Sequence, residues 1–236
     1  MNIVDYVIIG ILAVSVLFGM YRGFISSVLN VAAGLISFFV SLKAYPTVAN
    51  WIAGSEDIVM TLRSVTDADK LIGDMTLAGK PMYAAVNDIE RVTQAVSLPE
   101  PLGSILGSNM KNTVFGPDTP VAAYVSETVL NVCIGVIAFV VTFFALYLLA
   151  SVVLNLIRSV VRFPALKRLD SWVGGLFGLL RGLLVCIVLF TLVPLVETVV
   201  PIDGISQMVT ESQLAGIFTT GGPIVAIMNG SLWSGG

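Results

Sequence analysis

"TVLNVCIGVIAFVVTFFALYLLASVVLNLI", residues 128–157, runs for thirty positions without one charged residue. A helix rises 1.5 Å per residue, so about 20 apolar residues cross ~30 Å of hydrocarbon. Backbone N–H and C=O groups in that layer must pair within their own segment, which a helix achieves. The stretch therefore reads as a transmembrane helix.

Outward from it, three more stretches have the same character: Val4 to Tyr21, Gly23 to Leu42 and Ser171 to Val196. The first is charged only at Asp5, and the second is closed by Lys43 and then Pro46. The last carries Arg181 alone. Composition agrees, with 56% hydrophobic and 11% charged residues over 236 positions, against about 25% charged in a soluble domain. The N-terminal "MNIVDYVIIGILAVSVLFGM" has no basic n-region and no small-x-small cleavage site, so it is expected to stay as a membrane helix. The expected fold is an all-α integral membrane protein with four transmembrane helices, a small external helical insertion and a glycine-rich half-helix before the last span. Its expected parts are a first hairpin (1–45), an extracytoplasmic insertion (46–125), a second transmembrane pair (126–200) and an extracytoplasmic tail (201–236).

Basic residues in short loops mark the cytoplasmic side. "RSVVRFPALKRLD", residues 158–170, carries Arg158, Arg162, Lys167 and Arg168 against Asp170. That loop should be cytoplasmic, as should the turn holding Arg22. No Lys or Arg follows residue 181, so both termini are expected outside the cell.

Several function classes drop out. The chain has no histidine, which removes the commonest general base and metal ligand. No nucleophile–base set, metal-ligand spacing or phosphate loop occurs, so neither an enzyme nor a cofactor is expected. Cys133 and Cys186 fall inside apolar runs and read as small buried hydrophobes. The few scattered basic residues exclude a nucleic-acid footprint. The implied partners are the lipid bilayer and, within it, further copies of the chain or other membrane proteins.

Arginine stands twice in one local frame, in "GMYRGF" (19–24) and "GLLRGL" (178–183). Arg22 falls at the end of the first hairpin, where it can snorkel to headgroups. Two depths are open for Arg181. If the last helix starts at Ser171, the arginine lies ~15 Å along it, near the bilayer centre. If Gly182 to Val200 is the span, "SWVGGLFGLL" becomes a half-helix at the cytoplasmic face and Arg181 marks a mouth. The second reading avoids the cost of a charge in hydrocarbon and is the one favoured here. Around both arginines small residues recur four apart, Gly19 and Gly23, then Gly174, Gly178 and Gly182. Such spacing lets helix backbones touch in lipid.

Two further stripes repeat every 3.5 residues. One is Gly23, Ser27, Asn30, Gly34, Ser37 and Ser41; the other is Asn131, Gly135, Ala138, Thr142 and Ala145. Each draws one seam along its helix, either a packing interface or a polar path. Near the opposite face Asp5 and Lys43 could pair, and Glu127 and Glu197 flank the later spans as interfacial anchors.

Residues 46–125 break the pattern, with nine acids and five bases. "DIVMTLRSV" sets Ile58, Leu62 and Val65 on one helical face, and "YAAVNDIERVTQAV" does so with Ala85, Ile89, Val92 and Val96. Short amphipathic helices packed on the membrane domain are expected there. The tail segment "GGPIVAIMNGSLW" is expected on the outer membrane surface.

Asp5, the "RGF" after the first span and "LDSWVGGLFGLLRGLL" (169–184) after a basic loop together resemble the CvpA (colicin V production protein) family. The resemblance covers residues 1–45 and 126–200. It implies a four-span bacterial inner-membrane protein with a role in colicin V production or export and in envelope homeostasis. On these grounds Asp5, Gly19, Arg22, Gly23, Asn30, Asp170, Gly174, Gly178, Arg181 and Gly182 are the candidate functional and structural positions. Two roles follow: a solute pathway with Arg181 and Asn30 facing water, or a scaffold that recruits partners through its glycine faces and outer insertion.

Overall fold

The computed structural model describes residues 2–65, 72, 75–81, 89–96, 103, 106–108, 110, 119–160, 169–193 and 203–219. The chain is mostly helical, and four of its helices are long and apolar enough to cross a membrane. In chain order the helices used below are α1 (Ile3–Arg22), α2 (Phe24–Ala53), α3 (Glu56–Val65), α4 (Met75–Ala78), α5 (Ile89–Ala95), α6 (Val121–Val160), α7 (Leu169–Phe190), α8 (Asp203–Glu211) and α9 (Ala215–Thr219).

The chain divides into two compact units, the first made of Met1–Val48, Ala138–Thr191 and Asp203–Thr220. It holds α1, most of α2, the later part of α6, α7 and the short α8–α9 pair. Helix α1 opens on a capping box, in which Asn2 accepts from the helix start and Asp5 accepts from the Asn2 N–H at 2.8 Å. It closes at Gly23, whose φ of 80° and ψ of 171° lie in a region that only glycine enters readily. That single residue turns the chain back. Ser27 then donates to the Gly19 carbonyl at 3.1 Å, which ties the two arms of the hairpin.

Helix α2 buries the whole stripe expected of it: Gly23, Ser27, Asn30, Gly34, Ser37 and Ser41 are all buried. The neighbours are packed rather than wet. Phe38 meets Phe139 and Phe143 edge-on at 5.9 and 6.5 Å, and Tyr45 meets Phe139 at 6.4 Å. The second stripe holds only in part. Gly135, Ala138 and Thr142 are buried, whereas Asn131 and Ala145 are exposed. Helix α6 buries bulky residues such as Val132, Val136, Phe139 and Phe143 around most of its girth, so the polar Asn131 takes the strip left open.

Two helix ends differ from expectation. Helix α2 does not stop at Lys43 and Pro46 but runs through the proline to Ala53. Buried Tyr45, Ala49 and Ile52 continue the inward face across it, and packing outweighs the one lost backbone bond. Helix α7 shows no break at Arg181, so a separate half-helix over 171–180 is not seen; the 22 residues Leu169–Phe190 form one helix. Its glycines all face a neighbour closely enough to be held helical. Residues 194–200, where the alternative span would have ended, lie outside the described residues.

The second unit comprises Ala49–Ile137, Leu192–Ile202 and Gly221–Gly236. Its core gathers Ile72, Leu77, Val92, Val96, Leu106 and Met110 around Val121, Val125, Val129 and Cys133 of α6. The expected inward face of Val92 and Val96 is thus present, while Ala85 and the side chains of Val65 and Ile89 lie outside the described residues. Ile58 on α3 is 38% exposed and does not join that core.

Candidate functional site

The site is assembled where α1 and α7 run antiparallel in contact. The glycines fix that contact. A methyl carbon built on Gly174 would stand 2.6 Å from the Gly19 carbonyl oxygen and 2.9 Å from the Gly23 carbonyl carbon. One on Gly178 would run into the Ser15 carbonyl and lie 3.1 Å from the Gly19 Cα, and one on Gly182 would lie 2.9 Å from the Ser15 Cβ. Helix backbones this close exclude side chains from the seam. Ser171 adds a cross-helix bond by donating to the Met20 carbonyl at 3.2 Å.

Arg181 therefore projects beside the tightest part of the bundle. It sits about 18 Å along α7, near the middle of a helix ~33 Å long. Its guanidinium lies 5.6 Å from the centroid of Phe18 and 5.5 Å from that of Tyr147. Such cation–π placement offsets part of the cost of a charge at that depth. Arg22 is exposed, and its guanidinium stands 4.5 Å from the Phe18 centroid, one turn back along α1. Ser15, Phe18, Gly19, Ser27, Asn30, Phe177, Gly178 and Arg181 line a small indentation with an accessible volume of about 10 Å³, room for about one water.

Asn30 brings the α2 seam to that same point. It is 6% exposed and lines the same indentation as Arg181. Ser41 donates to the Phe38 carbonyl and Thr142 to the Ala138 carbonyl, at 2.7 and 2.6 Å, so their polar groups are consumed within their own helices.

Asp5 occupies the other end of the helix pair. It is fully buried and does not pair with Lys43, which is exposed. Its carboxylate accepts from Ser212 Oγ at 2.6 Å, from the Leu214 N–H at 3.1 Å and from the Asn2 N–H at 2.8 Å. Ser212 Oγ in turn accepts from the Ala215 N–H at 3.0 Å, and Asn2 donates to the Met208 carbonyl at 2.9 Å. Ile8, Cys186 and Ala215 pack beside this lock, with Phe190 and Phe218 in ring contact at 5.3 Å. The tail thus begins as part of the bundle, because it supplies the donors that a buried carboxylate requires. Residues 220–236 lie outside the described residues.

Helix α7 includes Asp170, whose side chain is not among those described. Cys133 and Cys186 are free and buried, and among the described residues no cluster of acidic or sulfur side chains could hold a metal ion.

With this frame in place, comparison with known proteins decides the family. Residues 4–78 and 118–223 match the family model described as colicin V production protein. The chain belongs to that family. The CvpA match covers both hairpins, the start of the insertion and the Asp5-bonded segment around Ser212. A colicin V production protein homolog of Haemophilus influenzae is 36% identical over 55 residues, 23% of this chain and 34% of that protein. The uncharacterized transmembrane protein YshB of Bacillus subtilis is 29% identical over 99 residues, 40% of this chain and 53% of that protein. The chain thus spans between a third and about half of the length of these curated relatives. No solved structure gives a significant match. The chain is a transmembrane protein of the CvpA family.

Proposed function

We propose that this CvpA-family chain is a multi-pass bacterial inner-membrane protein that serves colicin V production or export and envelope homeostasis, and acts there as a component of a solute pathway. The carrying observation is Arg181: a cation midway along an apolar helix, set against the rings of Phe18 and Tyr147 and lining one indentation with Asn30. Intramembrane ionisable groups mark functional sites far more often than structural ones. The rest of the α2 seam is packed, so a continuous path requires further copies of the chain, and a homo-oligomer is part of the proposal. The Arg22 end faces the cytoplasm with the basic loop 158–168, and both termini and the insertion lie outside.

The scaffold reading recruits partners through the glycine faces and the outer insertion. Gly19, Gly174, Gly178 and Gly182 are occupied within one chain, which leaves a scaffold the insertion as its docking surface.

The experiment uses a strain that makes colicin V and lacks its own copy of this protein. Complementation by the unaltered chain should restore toxin activity in the medium. Arg181→Ala, at matched membrane level, should leave the toxin inside the cells. Equal secretion by both would remove the pathway reading.

A further inference from the structure

Helix α1 is 20 residues long, about 30 Å, which is the thickness of the hydrocarbon layer alone. Ile3, Tyr6 and Val7 are exposed from its first turns onward, so its lipid-facing side starts where the helix starts. Little of α1 is left over to stand clear of the bilayer. Yet the short pair α8–α9 packs along this helix and not beyond its end. Val209, Leu214 and Phe218 lie against a cluster of Ile8, Cys186 and Ala215, and Leu12 packs on the same cluster. Ile8 and Leu12 stand ~8 and ~14 Å along α1 from Ile3. Cys186 lies one turn inside the end of α7. The pair therefore sits at a depth that lipid tails occupy around the rest of the helix.

The break between the two helices is paired as such a depth requires. Helix α8 ends at Glu211 and α9 starts at Ala215, and irregular backbone survives in hydrocarbon only where protein groups satisfy it. The Ser212 N–H donates to the Val209 carbonyl at 3.3 Å. The Leu214 N–H donates to the Asp5 carboxylate at 3.1 Å, and the Ala215 N–H to Ser212 Oγ at 3.0 Å. Ser212 Oγ donates in turn to Asp5. A turn in water has solvent for these groups and needs no buried carboxylate. A carboxylate one turn into an apolar span is costly, and the donors of that break offset the cost. The surface of α8 fits the same placement. Met208 is exposed and apolar. Gln207 and Glu211, four apart on a neighbouring face, are exposed and joined by a 3.0 Å hydrogen bond.

We propose that α8–α9 is a re-entrant segment seated in the leaflet at the Asp5 end of α1. Its turn at Ser212 to Leu214 lies below the headgroups, Met208 meets phospholipid acyl chains, and Gln207 and Glu211 reach the headgroup layer. Amphipathic segments bury an apolar face ~5–10 Å into that boundary, which matches the level of Ile8. Asp5 is a positioning residue here: it supplies the acceptor without which the turn would return to water. The partner of this surface is the phospholipid bilayer, continuous with the exposed apolar side of α1. The inference stands independently of the pathway reading and of which leaflet faces the cytoplasm.

The test uses the full-length chain in vesicles of phosphatidylethanolamine and phosphatidylglycerol, with Cys133 and Cys186 replaced by alanine. A nitroxide is attached to single cysteines placed at Met208, Gln207 and Glu211, and at Ile3 and Val14 as depth standards on α1. Collisions with oxygen, which concentrates in lipid, are compared with collisions with a water-soluble nickel chelate. The Met208 label should fall between the Ile3 and Val14 standards and meet nickel several-fold less often than the Gln207 and Glu211 labels. Nickel collisions at Met208 equal to those at the two polar positions would overturn the proposal and leave the segment in water. Few collisions with either reagent would mean a protein-covered site and would overturn it as well. Asp5→Ala should raise nickel collisions at Met208 several-fold while the Val14 label is unchanged, which keeps the effect apart from a misinserted span. Ser212→Ala, the milder change, should move Met208 in the same direction by less. Should the Val14 label move in Asp5→Ala, Ser212→Ala decides. A Met208 label unmoved by these variants would remove the role of Asp5 and with it the proposal.

Discussion

Gly19 and Gly174 touch backbone to backbone: a methyl carbon on Gly174 would stand only 2.6 Å from the Gly19 carbonyl oxygen. The two residues lie on α1 and α7, and with Gly178 they set how close these helices come. In lipid, where apolar burial gives helices no advantage over lipid tails, such packing carries the association.

A graded alanine series tests this contact. Gly174→Ala and Gly178→Ala should each cost about 1–3 kcal/mol, the range for overpacking a filled interface. Gly182→Ala meets the Ser15 side chain and should cost less, because a side chain shifts more readily than a carbonyl. Gly34→Ala would make only 3.7 Å contacts, and Gly10→Ala would meet nothing within 4 Å; both should be neutral or slightly stabilising. Unfolding in detergent checks the order. Equal costs at Gly10 and Gly178 would contradict the packing.

The Asp5 lock predicts that the tail is released by a change at the other terminus. Asp5→Ala removes the shared acceptor of Ser212 Oγ, the Leu214 N–H and the Asn2 N–H. Limited proteolysis should then cut within 203–219 far faster than in the unaltered chain. Ser212→Ala, which removes one donor of three, should show an intermediate rate, and Lys43→Ala should change nothing. Undiminished protection in Asp5→Ala would mean that the tail is held by packing alone.

How much of this was legible follows from the length scale of each signal. The four spans could be read because hydrocarbon demands long apolar windows, and no competing structure satisfies them. The α2 seam could be read because its polar residues keep a 3.5-residue repeat. Helix ends were harder: Pro46 lies inside α2, since Tyr45 and Ile52 are buried on both sides of it, and sequence does not rank that packing against one lost bond. The single helix through Arg181 was one of two readings left open and not the favoured one, because Gly174, Gly178 and Gly182 look like a break until α1 is seen against them. The Asp5–Ser212 bond joins residues 207 apart in sequence, and an isolated serine gives no sign of its partner. Phe18 went unnoticed as well, because an aromatic in a membrane helix is ordinary until two arginines reach it.

Orientation is tested with reporters active only outside the cell. An insertion near residue 90 or a fusion after residue 236 should be active, and an insertion at Pro164 should not. The opposite pattern would reverse the assignment of the basic loop.

Arg181→Lys asks whether charge alone suffices. Lysine keeps the cation but loses the planar fork that lies against Phe18 and Tyr147. The lysine variant should remain in the membrane at the normal level and still lose most of the toxin release that Arg181→Ala loses. Full function in the lysine variant would mean that the residue acts as a simple headgroup anchor.

The most direct measurement is cysteine accessibility along the α2 seam, in a chain whose Cys133 and Cys186 are replaced by alanine. Single cysteines are placed at Ser15 and Asn30, which line the Arg181 indentation, and at Ser37, Ser41 and Thr142, which lie in the packed seam. A membrane-impermeant thiol reagent applied from the Arg22 side should label the first pair and spare the other three. Labelling of none of the five would contradict a water-accessible polar site inside the span, and equal labelling of all five would contradict the packed seam that confines it.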